Sequence, residues 1–334
     1  MNSAERTPTR TGTDRGRPVS PAGPRVARVS DPLVWLPFDP DLLGDPPAGL
    51  RYEVVVPSEG DPPPASIDEV AFYVPPYRFS DADSALVPQM SSLRVVQTMT
   101  AGVDHIRPHV PDGVTLCNGR GIHDTSTAEL AMTLMLASLR GIPGFVRAQD
   151  VHTWAHGTRP ALADSTVLIV GYGAIGEALE RRLDGFEVDV VRVARTARDG
   201  VHGFDELPAL LPDADVVVLI VPLTPATRGL VDTGFLARMR DGALMVNVSR
   251  GAVVHTDALV DALGSGRVSA ALDVTDPEPL PEDHPLWDCP NLLVSPHVGG
   301  ASSAMEPRAH RLVRAQLARF AAGEPLENVM EGDY

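Results

Sequence analysis

The sequence contains no lysine, because all 28 of its basic residues are arginine. Without lysine, a Schiff-base nucleophile, an anchor for pyridoxal phosphate and the lysine of a phosphate-binding P-loop are impossible. Any catalysis by this chain must therefore use histidine, carboxylates, arginine or hydroxyl groups.

Cysteine is also scarce, since Cys117 and Cys289 are the two cysteines among 334 residues. Two cysteines are too few for a disulfide framework or a thiolate metal cage, which favours a reducing cytoplasm. No apolar run reaches the roughly 18 residues that span a bilayer, so no membrane insertion is expected. His152 and His156 have the spacing of a helical metal-binding pair but no obvious third ligand, and no metal site is predicted.

Positive charge is in short supply, because the formal net charge is −16. This charge gives no electrostatic attraction to nucleic acid, and no nucleic-acid partner is expected. Residues 1–30 are an exception, with six arginines against two acids and many Pro, Ser and Thr residues. This composition has no apolar segment and predicts a disordered tail instead of a signal peptide.

The chain does contain short apolar strands that alternate with helical patterns, as in α/β folds with parallel sheets. A helix is predicted to begin near Asp124–Thr127 and to continue through Leu139, and Gly141–Ala163 is predicted to be a loop. The predicted strands are Leu33–Leu36, Tyr52–Val56, Glu69–Val74, Val95–Met99, Val167–Val170, Val188–Val193, Val216–Val221, Leu244–Val248, Ala270–Leu272 and Leu292–Val294, and the last predicted helix is Ala304–Ala322.

A glycine-rich loop follows the predicted strand Val167–Val170 and precedes a helical pattern. Gly171 would permit the tight turn, Gly173 would let a pyrophosphate approach the backbone, and Gly176 would let the helix pack closely on the sheet. In this strand–turn–helix setting the pattern predicts a dinucleotide site. The loop is formed by Gly171, Tyr172, Gly173, Ala174, Ile175 and Gly176.

The type of dinucleotide is indicated by the end of the next strand. Sites specific for NAD usually have an acid there, about 20 residues after the glycines, but this chain has Ala194, followed by Arg195, Thr196 and Arg198. Arginine can bind a 2′-phosphate that an acid would repel, so NADP is favoured and NAD remains possible. The alternative interpretation is a solvated loop.

Three polar residues, Arg250, Glu278 and His297, follow successive predicted strands, whose carboxyl ends converge on the ligand crevice in such sheets. Carbonyl reduction needs a proton donor, for which histidine is suited. A neighbouring carboxylate would orient the imidazole and favour its charged form, and a guanidinium would bind the substrate carboxylate and polarise the keto oxygen. Taken singly, each residue also fits a purely structural role.

From about residue 31 to its end, the chain resembles the D-isomer-specific 2-hydroxyacid dehydrogenase family. The resemblance rests on the glycine loop, on the three polar residues and on further segments. Thr100–His105 is similar to the substrate loop of the family, and Val221–Arg228 to its loop on the cofactor side. The remaining matches are Asn118, Gly121 and Thr127–Glu129 in the interdomain helix, and His284–Trp287 before the histidine strand.

The resemblance implies a Rossmann domain, a doubly wound parallel sheet over residues 120–301. This domain would be inserted into a flavodoxin-like α/β substrate domain made of 31–119 and 302–334. It also implies a homodimer that forms through the Rossmann domains. Independently of the resemblance, Tyr73 and Tyr77 flank the paired prolines Pro75 and Pro76, and these two aromatic residues would either line the substrate pocket or pack a loop.

The resemblance also implies site roles. His297 would be the acid/base, Glu278 its partner and Arg250 the substrate clamp, and the backbone N–H groups of Ala101 and Gly102 would bind the substrate carboxylate. Asp273 matches the residue that contacts the nicotinamide carboxamide, and the other expected cofactor contacts are Val221, Pro222, Thr227, Ser249 and Gly300.

The activity implied is transfer of a hydride between NADP(H) and C2 of a small 2-keto or D-2-hydroxy acid, with glyoxylate or hydroxypyruvate as the first substrates to consider. Glu278 argues against a formate dehydrogenase, which has an amide beside the histidine. The alternative is a dinucleotide-sensing scaffold without significant turnover, because C-terminal-binding-protein corepressors resemble the family and keep the same three residues.

Overall fold

Short parallel strands connected by helices form the framework of the protein, whose computed structural model describes residues 31–58, 60–78 and 81–332. The tail predicted to be disordered, residues 1–30, lies outside the described residues. The strands are β1 Leu33–Leu36, β2 Arg51–Val54, β3 Val70–Tyr73, β4 Val95–Gln97, β5 Thr115–Cys117, β6 Thr166–Val170, β7 Asp189–Ala194, β8 His202–Gly203, β9 Val216–Leu219, β10 Leu244–Asn247, β11 Ser269–Leu272 and β12 Leu292–Val294. The α-helices are α1 Asp81–Ala85, α2 Asp124–Leu139, α3 Ile142–Asp150, α4 Ala174–Leu183, α5 Leu207–Leu210, α6 Thr233–Arg238, α7 Thr256–Gly264 and α8 Met305–Ala322.

The strands form two parallel sheets, which confirms the predicted α/β fold. The smaller sheet has the order β2-β1-β3-β4-β5, which is the order of flavodoxin-like sheets. The larger sheet has the order β12-β11-β10-β9-β6-β7-β8, which is the Rossmann order with one added strand. The order reverses between β6 and β9, and ligands of such sheets bind outside the carboxyl ends of the strands at this switch point.

The central strands of the larger sheet consist of apolar residues, and because alternate side chains point to opposite sides, both faces of the sheet are apolar there. Leu168 and Val170 of β6 pack in one buried cluster, and Val167 and Ile169 pack in the other, together with side chains of α2 and α4. Full burial on both faces explains why the predicted central strands could be recognised as unbroken apolar runs.

The last helix returns to the smaller sheet. Ala309, Val313 and Leu317 of α8 are buried against Val34 of β1 and Phe72 of β3. Burying an aliphatic side chain of this size contributes roughly 1.5 to 3 kcal/mol. The helix ends at Gly323, whose φ of 69° is left-handed. The predicted domain limits agree with this packing but stay a prediction.

Helix α3 is the largest difference from the sequence analysis, because its residues lie in the predicted loop Gly141–Ala163. Gly141, Pro143 and Gly144 resemble loop signals, yet proline is tolerated in the first turn, where its missing N–H has no helical partner. His152 and His156 follow the end of α3 and therefore do not share a helical face. The short strands β5 and β8 were also not predicted.

Across the described residues, no single helix is both long and apolar enough to cross a membrane, and α2 with α3 passes that test only as a pair bent by 65°.

Candidate active site

The glycine loop occupies the turn between β6 and α4. Gly171 has a φ of 105°, and a Cβ on it would lie 2.5 Å from the Ile220 carbonyl oxygen, so only glycine fits. A Cβ on Gly176 would lie 2.8 Å from the Gly171 oxygen, which explains the close approach of α4 to the sheet. Gly173 faces open space, since its Cβ would meet no atom within 4 Å. The amino end of α4 therefore offers backbone N–H groups to a space that fits a pyrophosphate.

A cleft joins this loop to the predicted substrate loop. Ala101, Gly102 and Asn118 line one side of the cleft, and Val221 and Pro222 line the side of the larger sheet. The remaining lining residues are Arg120, Asp124, Gly171, Gly173, Ala174, Ile175, Gly176, Ile220, Leu223, Val248, Ser249 and Arg250. The structure thus brings most of the predicted cofactor and substrate residues to one crevice at the carboxyl ends of the strands.

The predicted 2′-phosphate residues lie beside the glycine loop. Strand β7 ends at Ala194, and the Arg198 side chain donates a hydrogen bond of 2.8 Å to the Tyr172 carbonyl oxygen. Arg195 and Thr196 are exposed at the carboxyl end of β7. This arrangement places arginine side chains where the ribose of a dinucleotide on this loop would lie.

The side chain of Tyr172 is hydrogen-bonded to an ion pair between Glu180 and Arg192. Its hydroxyl donates to the Glu180 carboxylate, which also pairs with Arg192. The hydrogen bond from Arg192 lowers the pKa of Glu180, and burial raises the pKa of Tyr172. Tyr172 therefore stays neutral at physiological pH and gives Arg198 a fixed aromatic neighbour, with 5.7 Å between the guanidinium carbon and the ring centre.

Thr227 shapes the loop on the cofactor side. Its hydroxyl donates to the Pro222 carbonyl oxygen at 2.6 Å and accepts from the Thr224 amide at 2.9 Å. These bonds close the loop from 222 to 227 on itself. Val221 and Pro222 line the cleft directly, whereas Thr227 holds the Pro222 backbone in place through its hydrogen bond.

Arg250 reaches across the cleft to the substrate loop. Its Nη1 donates to the Ser249 carbonyl oxygen at 2.8 Å, and its Nη2 would lie 1.7 Å from a Cβ on Gly102. The guanidinium therefore lies directly on the Gly102 backbone, next to the N–H groups predicted to bind the substrate carboxylate. Asn118 is hydrogen-bonded to the same loop, since its Nδ2 donates to the Ala101 carbonyl oxygen at 3.0 Å.

Replacing Gly102 with alanine is expected to weaken substrate binding without unfolding the protein. The new methyl group would displace the flexible end of Arg250, which would remove the charge-assisted bond that the sequence predicts to the substrate carboxylate and lower kcat/KM about 10- to 100-fold. Steady-state kinetics with a 2-keto acid would measure this loss. Gly264→Ala is the matched control, because a Cβ there meets no atom within 4 Å. An unchanged KM in Gly102→Ala would contradict the placement of Arg250.

His297 and Glu278 form a hydrogen-bonded pair, with Nδ1 of the imidazole donating to Oε1 of the carboxylate. Both side chains are partly exposed, at 23% and 37%. They follow β12 and β11, the neighbouring strands next to β10, which precedes Arg250. Adjacent parallel strands thus bring Glu278 and His297 into contact, and their catalytic role stays a prediction.

Asp273 holds the loop that presents His297. Its carboxylate accepts bonds from the Ser295 hydroxyl at 2.6 Å, the Val298 amide at 2.9 Å and the Gly299 amide at 2.8 Å. Its carbonyl oxygen also accepts from the His297 amide at 2.8 Å. His297 has a φ of 53°, a strained value for a residue with a side chain, and these bonds offset that strain. This organising role was not predicted, because the family resemblance implied only a cofactor contact for Asp273.

Tyr77 packs against His123 and Gly300, one of the predicted cofactor contacts. Its ring stacks on His123, with ring centres 5.1 Å apart, and its hydroxyl would lie 2.2 Å from a Cβ on Gly300. Burial raises the pKa of Tyr77. The charge of Arg250 lowers this pKa and the charge of Asp273 raises it, but both effects are smaller than that of burial. His123 donates from Nε2 to the Met99 carbonyl oxygen at 2.7 Å, and burial lowers the pKa of its imidazole. Both side chains are therefore neutral at pH 7, and Gly300 is needed because any side chain would meet them.

Comparison with known proteins identifies relatives of this chain by sequence. A sequence model of the NAD binding domain of D-isomer specific 2-hydroxyacid dehydrogenases matches residues 132–299. The human glyoxylate reductase/hydroxypyruvate reductase is 34% identical over 258 residues, which cover 72% of this chain and 78% of that protein. A glyoxylate reductase of Thermococcus litoralis is 31% identical over 268 residues, covering 75% of this chain and 81% of that protein.

Solved structures are similar over almost the whole chain. A D-isomer specific 2-hydroxyacid dehydrogenase from Xanthobacter autotrophicus, crystallised with NADPH and MES, has a TM-score of 0.77 and 31% identity, covering 91% of this chain and 98% of that one. An NADPH-dependent glyoxylate/hydroxypyruvate reductase from Sinorhizobium meliloti has a TM-score of 0.75 and 29% identity, covering 90% and 97%. With this fold, cleft and sequence match, the chain belongs to the D-isomer specific 2-hydroxyacid dehydrogenase family of nicotinamide-dependent oxidoreductases.

Proposed function

We propose that this protein reduces a small 2-keto acid to the D-2-hydroxy acid, or catalyses the reverse oxidation, with NADP(H). One observation carries the proposal: the His297–Glu278 pair lies at the carboxyl ends of the same sheet that extends Arg250 over Gly102. Reduction of a 2-keto acid requires a proton donor and a group that binds the substrate carboxylate, and the carboxyl ends of neighbouring strands of this sheet carry both.

The substrate carboxylate would be held by Arg250 and by the backbone N–H groups of Ala101 and Gly102. Charge-assisted bonds of this kind contribute about 1.5 to 3 kcal/mol each and fix the keto group in one orientation. When bound, the reduced nicotinamide supplies the hydride to C2. The guanidinium would then stabilise negative charge as it develops on the keto oxygen.

His297 would supply the proton to that oxygen. Because Nδ1 donates to Glu278, Nε2 is the nitrogen that exchanges a proton with the substrate. The Glu278 carboxylate would stabilise the charged imidazole before transfer and keep the ring from rotating afterwards. In the oxidation direction the neutral imidazole would accept the proton from the hydroxyl group.

The residues beside the glycine loop would hold the dinucleotide. Gly171, Gly173 and Gly176 would accommodate the pyrophosphate, and Arg195 with Arg198 would bind a 2′-phosphate, with Thr196 between them. The preference for NADP over NAD is supported by Ala194 in place of an acid and by the two relatives described as NADPH complexes or NADPH-dependent enzymes. Val221, Pro222, Ser249, Asp273 and Gly300 would complete the pocket.

Kinetics with both cofactors would test the proposal. Purified protein is mixed with NADPH or NADH and with glyoxylate, hydroxypyruvate or pyruvate, and loss of the reduced nicotinamide is followed by absorbance. We expect turnover with at least one acid and a higher kcat/KM with NADPH. Enantiomer analysis of the product should give the D-isomer. No oxidation of either cofactor by any of the three acids would refute the proposal.

Glyoxylate and hydroxypyruvate are the substrates proposed first, because several relatives are named for them. The same names favour an enzyme over a dinucleotide-sensing scaffold. The division into a substrate domain of 31–119 with 302–334 and a Rossmann domain of 120–301 is proposed from the two sheets and from the return of α8 to the first. A cytoplasmic location is proposed from the scarcity of cysteine.

A homodimer is also proposed. Apolar side chains of α3 and the segment after it are exposed, with Val146 at 53%, Val151 at 70% and Trp154 at 94%. Exposed apolar surface of this kind marks interaction sites, and a second copy of the chain would cover it. Sedimentation velocity should give the mass of a dimer, and a single monomeric species at micromolar concentration would contradict this.

A further inference from the structure

An ion pair joins the loop after β4 to the loop after β10. Nε of Arg250 donates to Oδ1 of Asp104 at 3.2 Å, although the two residues are 146 positions apart. The side chains are 22% and 30% exposed, so solvent screens them less than a surface pair. The family roles considered above include none for Asp104.

The pair fixes how the guanidinium is turned. A guanidinium is planar, so a bond at Nε and the bond from Nη1 to the Ser249 carbonyl oxygen define its plane. That plane places Nη2 on Gly102. Asp104 lies only two residues from Gly102, and its Oδ1 would be 3.0 Å from a Cβ there. Asp104 is therefore part of the same loop as Gly102, and its bond to Nε holds the guanidinium against that loop.

The neighbouring imidazole of His105 could compete with Arg250 for Asp104 only if it were charged. His105 follows Asp104 in the chain, and burial lowers the pKa of its imidazole, which Asp104 raises and Arg250 lowers. His105 is therefore mainly neutral at pH 7. Arg250, across the cleft, is therefore the charged partner that the ion pair gives Asp104.

We propose that Asp104 is a positioning residue, which holds the Arg250 guanidinium over Gly102 so that its Nη2 edge meets the carboxylate of the 2-keto acid. This inference rests on the proposed role of Arg250. A long arginine side chain loses conformational entropy when it is ordered, and the pair with Asp104 meets this cost before the substrate binds. The opposite arrangement, in which Asp104 competes with the substrate for Arg250, would give the opposite sign on mutation.

A double-mutant cycle tests the proposal in the full-length chain. Asp104→Ala should raise the KM for glyoxylate or hydroxypyruvate about 10- to 30-fold and change kcat less than threefold, because one charge-assisted orienting bond is lost. Asp104→Asn should lie between Asp104→Ala and the unmodified chain, since its amide oxygen still accepts from Nε. The dissociation constant of oxamate from the NADPH complex, followed by fluorescence, should rise by the same factor as KM.

The cycle discriminates positioning from general damage. In an Arg250→Ala background, Asp104→Ala should change kcat/KM less than twofold, because the group that Asp104 orients is gone. Asp241→Ala is the matched control, since Asp241 also pairs with an arginine, Arg267 at 2.7 Å, on an exposed surface outside the residues of the cleft. Its kinetic constants should equal those of the unmodified chain.

Each other outcome counts against the inference. Equal factors in the two backgrounds would show that Asp104 does not act through Arg250, and tighter oxamate binding in Asp104→Ala would show competition instead of positioning. A KM within threefold of the unmodified value would also overturn it. An unmodified chain that reduces no 2-keto acid with either cofactor would refute the proposed function itself, which distinguishes the two failures.

Discussion

Replacing His297 with alanine is expected to lower kcat about 1,000-fold, because general acid catalysis by a positioned side chain contributes about 10²- to 10⁴-fold. The dissociation constant of NADPH should stay within threefold, since the imidazole extends from the loop after β12 and not from the glycine loop. Measuring kcat by steady-state kinetics and NADPH binding by fluorescence titration separates the two effects. Activity lost together with cofactor binding would mean that the loop had collapsed.

Two further variants complete this experiment. Glu278→Gln keeps a partner for Nδ1 but removes the charge that stabilises the protonated ring, and we expect a smaller loss in kcat of about 10- to 100-fold. His310→Ala is the matched control, because its imidazole packs on Phe38 at 4.5 Å between ring centres, on α8. It should keep the kcat of the unmodified chain. A His297→Ala enzyme with more than a tenth of the original kcat would rule out the proposed acid/base.

The fold was largely predictable because its central strands are buried on both faces. Stretches such as Thr166–Val170 and Val216–Leu219 stand out as apolar runs between polar turns, and the chain order of strands and helices then indicates parallel sheets. Helix α3 was not predictable in this way, because Gly141, Pro143 and Gly144 are typical of loops and no residue of this helix is buried. Among the described residues, none of its apolar side chains belongs to a buried cluster.

The candidate site was predictable where a backbone pattern or a chemical type is needed. Glycine is the only residue that fits at Gly171, and a histidine with a carboxylate after neighbouring strands predicts an acid/base pair. The loop-holding contacts of Asp273 and the pair between Asp104 and Arg250 were not predictable. They depend on which atoms meet after two loops from different parts of the chain have folded, and the spacing of residues along the sequence contains no such distance.

The arginines after β7 should set the choice between the two dinucleotides. In a variant with both Arg195→Ala and Arg198→Ala, kcat/KM for NADPH should fall at least about 100-fold, because two charge-assisted bonds to a phosphate together contribute about 3 to 6 kcal/mol. The value for NADH should change less than threefold, since NADH has no 2′-phosphate. Initial rates at varied NADPH and NADH, with a saturating 2-keto acid, give both values.

The single variants separate a phosphate contact from a structural one. Arg198 also donates to the Tyr172 carbonyl oxygen, so Arg198→Ala is expected to weaken both dinucleotides slightly, whereas Arg195→Ala should affect NADPH alone. Arg311→Ala with Arg314→Ala removes the same charge from exposed positions on α8 and should leave the preference unchanged, which controls for the overall field. Ala194→Asp should favour NADH, because a carboxylate at the end of β7 repels a phosphate and accepts from a ribose hydroxyl. Equal losses for NADPH and NADH in the double variant would show that these arginines only support the glycine loop.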